Sequence, residues 1–152
     1  MSNAERVRTV VMFQSGDFNC TEPREYFIND CCFGDDVAKW MREKLNAAGY
    51  AAAEPGQEDF GWYLPFEVSG KEYFWIVGFR PGDPPDPGSW IAIIERRGFL
   101  RMLLRKNRIV SAEVAQAIHE VLANDSAIKH ERWHLRADFE KGIEELGSPV
   151  PA

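Results

Sequence analysis

Between Asp59 and Phe79 the chain reads DFGWYLPFEVSGKEYFWIVGF, and this stretch leaves little choice of fold. Two runs of aromatic and β-branched residues flank Ser69-Gly70. Such side chains suit a pleated surface, and a Ser-Gly pair supplies the tight reversal between antiparallel arms. The spacing therefore predicts a β-hairpin turning at Ser69 and Gly70. Pro65 has no N–H to donate to a ladder, so the first arm reads as an edge strand or one carrying a bulge. RPGDPPDPG, Arg80 to Gly88, is a loop by its proline content. SWIAIIERR then returns as a third strand and completes a meander.

The remaining segments supply what covers that sheet. RVRTVVMFQ predicts a strand over Val7 to Phe13. SGDFNCTEPREYFINDCCFG mixes turn formers with aromatics and reads as an ordered loop pinned by Phe18, Tyr26 and Phe27. Val37, Trp40, Met41 and Leu45 recur at helical spacing, with Asp35 or Asp36 as the cap and Gly49 as the stop. SAEVAQAIHEVLAND predicts a second helix, capped by Ser111, with Val114, Ile118, Val121 and Leu122 as its buried stripe. GFLRMLLRKNR reads as a short helix and RADFEKGIEEL as a helical turn and tail. The expected fold is α+β: a mainly antiparallel sheet in the order β-α-β-β-β-α-β, with two main helices packed on one face. A chain of 152 residues suits one domain. Residues 1–152 are read as that domain, with flexible ends at about 1–5 and 146–152.

The formal net charge of −6 argues against general attraction to nucleic acid or an anionic membrane. No run approaches the ~18 apolar residues of a membrane span. Cys20, Cys31 and Cys32 are an odd set in a chain whose first residues carry no secretory h-region. They read as reduced thiols of a cytoplasmic protein. Asn19-Cys20-Thr21 fits the glycosylation sequon, a chance match without export.

His130-Glu131-Arg132-Trp133-His134 spells H-E-x-x-H, the mark of a zinc hydrolase. That chemistry needs a helix, where four residues rise about 6 Å and both imidazoles face one metal. On a strand the same residues span about 13 Å, too far for one zinc. Asn124 and Asp125 end the preceding helix, and Ile128, Trp133 and Leu135 make no helical stripe. The motif is therefore expected on a strand, with Trp133 as packing and the histidines holding no metal. A third ligand is also missing downstream, where Ala137 and Glu140 stand at the positions a longer motif would use.

Other combinations are less specific. Cys31-Cys32 with Cys20 lacks the C-x-x-C spacing, and His119 is the one further histidine available as a base. Buried small hydrophobes is the simpler reading of these thiols. Glu54, Glu58 and Asp59 could form an acid–base pair, but fit a solvated loop before the hairpin as well. Trp40, Trp62, Trp75 and Trp90 could line a small-ligand site between helices and strands, although such residues more often form core. No G-x-S-x-G or phosphate-binding glycine loop occurs. No catalytic residue, metal or cofactor is assigned.

Charge gives the strongest surface signal. From Arg96 to Arg108 the chain holds Arg96, Arg97, Arg101, Arg105, Lys106 and Arg108 and no acid. On a helix Arg101, Arg105 and Arg108 align opposite Phe99 and Leu103, a basic face suited to an acidic protein or other anionic partner.

FNCTEPREYFIND, FGDDVAKWMREKL, EPGQEDFGW and ERRG together resemble small bacterial proteins to which no activity is assigned. The resemblance implies a bacterial, cytoplasmic, single-domain protein and carries over no functional residue. The expected function is a protein-binding module rather than an enzyme, in the manner of small acidic immunity proteins. A hydrolase using carboxylate or cysteine chemistry is the alternative, and a zinc hydrolase from the HERWH match a third.

Overall fold

The structure is a computed structural model, and it describes residues 7–97 and 109–152. The chain forms β1 (Val10–Gln14), α1 (Asp35–Ala47), β2 (Ala51–Ala52), β3 (Gly56–Glu58), β4 (Gly61–Val68), β5 (Lys71–Arg80), β6 (Ser89–Arg96), α2 (Ala112–Ala123), β7 (Lys129–His134) and α3 (Arg136–Glu140). This is the expected α+β order with two additions. The short strands β2 and β3 arise in AAAEPGQE, which reads as loop in the sequence.

All seven strands share one antiparallel sheet in the order β2-β4-β5-β6-β1-β7, with β3 also on the outer edge of β4. The predicted hairpin is β4–β5, with Ser69 and Gly70 both at positive φ. Pro65 refines the edge expectation. β4 is not outermost, because β2 pairs with Phe66 and Glu67 and β3 with Gly61 to Tyr63. The Pro65 carbonyl accepts the Ala53 amide at 2.9 Å. A strand residue points its N–H and C=O to the same side, so the missing N–H of Pro65 faces the break between β2 and β3.

One face of the sheet carries Trp62, Leu64, Trp75, Val77, Trp90 and Ile94, and α1 and α2 pack on it with Met41, Leu45, Ile118 and Leu122. Trp75, Trp90 and Trp133 are among the largest side chains wholly withdrawn from water. They are core, as tryptophans in this setting usually are; only Trp40 among the expected four is partly exposed.

The caps differ from expectation. Gly34, not an aspartate, precedes α1, at φ +126, a conformation L side chains rarely adopt. Asp35 instead accepts a bond from the Tyr26 hydroxyl, and Asp36 from the amides of Asn19 and Val37. Ser111 sits at the start of α2, but its side chain makes no capping bond. Gly49, at φ +93, ends α1 as expected.

The C-terminal end makes backbone bonds to the sheet. Trp133 and Ser148 exchange backbone bonds of 2.6 and 2.8 Å, and the Pro151 carbonyl accepts the Arg8 amide at 2.8 Å. The Trp133–Ser148 pair covers the outer edge of β7 at that point, where unpaired backbone groups would otherwise invite another strand. The expected flexible segment at 1–5 and the expected helix over GFLRMLLRKNR lie outside the described residues. Among the described residues no helix is long and apolar enough to cross a membrane.

Candidate interaction surface

His130-Glu131-x-x-His134 lies on β7, not on a helix. Glu131 turns toward α2, where its Oε2 lies 2.5 Å from His119 Nδ1 and 2.6 Å from Trp133 Nε1. A carboxylate only accepts, so both ring nitrogens donate to it. His134 lies on the opposite face of the sheet, buried between Phe139 and Gly147. Burial is the main cause that pushes its pKa below the usual value. His130 is exposed at a β-bulge. Between Arg132 and Lys129 β7 advances one residue more than its partner does between Met12 and Gln14, and His130 takes φ +56 there. The glutamate and the two histidines thus have separate surroundings. Among the described residues no group of three or more His, Cys, Asp or Glu could hold a metal ion.

The cysteine and carboxylate candidates are dispersed as well. The Cys32 thiol is buried and donates to the Glu58 and Gly61 carbonyls at 3.2 and 3.3 Å. Burial pushes its pKa up, so it stays a thiol. Cys31 is exposed, while His119 is engaged with Glu131 on another element. Glu54 pairs with Arg42 at 2.5 Å, and Asp59 uses its backbone carbonyl to hold Asn29. No nucleophile–base pair is assembled from these residues. Arg101, Arg105 and Arg108, the expected basic face, lie outside the described residues.

What the sequence does not single out is the second face of the sheet. Tyr63 on β4, Phe74 and Ile76 on β5, and Ile91 and Ile93 on β6 point away from α1 and α2 and remain partly exposed. The C-terminal segment lies over the β1–β7 side of this face. It is anchored there by Arg80–Glu144 at 2.8 Å, Arg136–Glu95 at 2.8 Å and a bond from Arg132 to the Gly147 carbonyl.

Toward β4 a cleft of about 570 Å³ is left, with Phe60, Tyr63, Pro65, Phe74 and Ile76 as its apolar surface. Phe60 is 57% exposed, unusual for a phenylalanine. Tyr63 and Phe74 pack edge to face at 5.5 Å, and the Arg97 guanidinium lies 5.2 Å from the Phe74 ring centre. Glu54, Glu58 and Glu95 rim the cleft beside Arg97. Glu54 and Glu95 have cationic partners, but Glu58 makes no ion pair among the described residues.

Comparison with protein-family models, with curated proteins and with solved structures finds no match.

Proposed function

We propose that this protein is a non-catalytic interaction module, and that the outer face of β4–β5 receives a basic protein segment bearing an apolar or aromatic side chain. One observation carries the reading. β4 and β5 are apolar on both faces, a pattern that suits strands covered on both sides, yet neither α1 nor α2 packs on the second face. Contiguous apolar surface with a polar rim is what protein-interaction sites present. The rim favours a basic occupant, since Glu58 makes no ion pair among the described residues and the whole chain carries −6. Exposed aromatics such as Phe60 and Tyr63 are the residue types that anchor interfaces.

The finer form of the reading is an immunity-like protein that neutralises a basic partner. The expected acidic partner belongs to the stretch from Arg101 to Arg108, and the described face favours the opposite sign. The hydrolase alternative loses support because its candidate groups do not converge.

Calorimetric titration with a peptide alternating arginine and tryptophan tests the proposal against the same peptide with glutamate for arginine. The basic peptide is expected to bind and the acidic one not. Phe60→Ser with Tyr63→Thr is expected to weaken binding at least about tenfold, the loss of a central aromatic anchor. Equal binding of both peptides, no change in the variant, or self-association of the chain through this face would overturn the proposal.

A further inference from the structure

A second cavity, of about 420 Å³, lies where the C-terminal end of β1 meets the beginnings of β6 and β7. Its volume is that of a small-molecule site. It is separate from the outer-face cleft, shares no lining residue with it, and does not depend on the function proposed above. Its floor is aromatic. Phe18 and Phe79 meet Trp90 edge to face, at 6.1 and 5.0 Å. The wall is basic, formed by Lys129 and His130. Gln14, Ser15, Asn19 and Thr21 add neutral polar groups around the mouth.

The charge pattern is the informative part. The chain has 24 acidic residues, yet among the described residues no carboxylate lines this cavity. Three acids stand close by without lining it: Asp36 accepts from the Asn19 amide, Asp86 accepts from the Gly88 amide, and Asp17, between Gly16 and Phe18, is exposed. Neither Lys129 nor His130 makes an ion pair among the described residues. Two donors of the kind that bind anions therefore stand above an apolar floor without an ion-pair partner among the described residues.

Backbone geometry points the same way. Among the described residues His130 is one of two non-glycine residues at positive φ, and the other, Ser69, is in a hairpin turn. The bulge sets His130 apart from the regular pleat and places it at the cavity wall. Strained residues of this type gather at ligand sites because the surrounding fold over-determines them. Cys20 also lines the cavity, but burial, with the charge of Asp36 adding, pushes its pKa up. It stays a thiol, so the site is built to bind rather than to attack.

We infer that this cavity binds a small amphiphilic anion, a carboxylate or phosphate carried on a flat apolar ring. The ring lies against Phe18 and Phe79, which pack over Trp90, and the anionic group meets Lys129 and His130.

The test is titration of the full chain with phenyl phosphate, benzoate, benzyl alcohol and inorganic phosphate. Binding is read from the Trp90 indole N–H and the Gly16 and Gly88 amides by nuclear magnetic resonance. Saturable shifts at these groups are expected with phenyl phosphate or benzoate, and the tighter of the two identifies the head group. Benzyl alcohol lacks the charge and inorganic phosphate lacks the ring, so each is expected to bind at least about tenfold more weakly, as is the aromatic anion to Lys129→Gln. His130→Asn keeps a residue that tolerates positive φ, so it tests the imidazole without disturbing the bulge, and is expected to weaken binding by a similar factor. As a second handle, Gly16→Leu puts bulk at the cavity from a position whose Cβ meets no atom within 4 Å, and is expected to block binding without lowering the melting temperature. No saturable shift with either aromatic anion, equal binding of benzyl alcohol or inorganic phosphate, or unchanged binding in Lys129→Gln and His130→Asn would overturn the inference.

Discussion

Glu131 satisfies two donors with one oxygen, and both would be stranded in the interior without it. His119 and Glu131 are largely buried, with side chains 16% and 13% exposed. Glu131→Ala leaves the His119 and Trp133 N–H groups unpaired and is expected to cost about 2–3 kcal/mol. Glu131→Gln retains an acceptor and should cost less than half as much. Urea unfolding of the two variants checks this, and equal losses would show that the carboxylate's bonds do not matter. The tryptophans allow a parallel comparison. Trp62 Nε1 donates to the Cys32 carbonyl at 2.9 Å, whereas Trp75 Nε1 is buried without a partner among the described residues. Trp→Phe removes the same volume at both sites but strands an acceptor only at 62. Trp62→Phe should therefore destabilise more than Trp75→Phe, by about 1 kcal/mol in the same measurement. HERWH shows why a residue pattern alone misleads. Its letters match a zinc helix, but a strand sends Glu131 to the core face and His134 to the other. The imperfect alternation around Ile128 and Trp133 was the visible trace of the bulge. The positive φ of His130 left no trace, because histidine is not a residue that announces such a turn.

At the scale of elements, two segments are held by side chains that titrate. His134 packs against Phe139 and Gly147 and so holds the C-terminal segment to β7. Its folded pKa lies below the ordinary 6.5, mainly through burial. The unfolded chain then binds the proton more readily, so stability is fully present above that ordinary value. It is lost as pH falls below it toward the folded pKa. Melting temperature should drop as pH falls below the ordinary histidine value, and His134→Phe should flatten that part of the curve. The Arg80–Glu144 pair anchors the same segment; Arg80 lowers the Glu144 pKa, so this contribution fails only at more acidic pH. The loop before α1 depends on Asp36, whose carboxylate takes the Asn19 amide at 2.8 Å. Asp36→Ala should free that loop and speed trypsin cleavage after exposed Arg24; unchanged cleavage would show that the aromatic contacts of Phe18 and Phe27 suffice. The main helices and long strands were legible because their side chains repeat at periods of 3.6 or 2 over several turns or pairs. β2 and β3 were not, since two or three residues of AAAEPGQE carry no period, and only pairing with β4 makes them strands.

For the whole molecule, the sheet has one face closed by α1 and α2 and one that, among the described residues, is closed on its β1–β7 side alone. The sequence makes both faces of β4 and β5 look alike, because Tyr63, Phe74 and Ile76 are as apolar as the core residues between them. Which face the helices take depends on where α1 and α2 return, a matter of topology rather than of local pattern. The candidate surface was therefore out of reach of the sequence, though its apolar residues were all in view. Where a ligand lands decides most directly whether the outer face of β4–β5 is the binding surface. Amide and side-chain shifts, mapped by nuclear magnetic resonance as the alternating arginine–tryptophan peptide is added, should concentrate at Phe60, Tyr63, Phe74 and Ile76. Shifts confined to α1, α2 or the far side of the sheet, or none at saturating peptide, would contradict it.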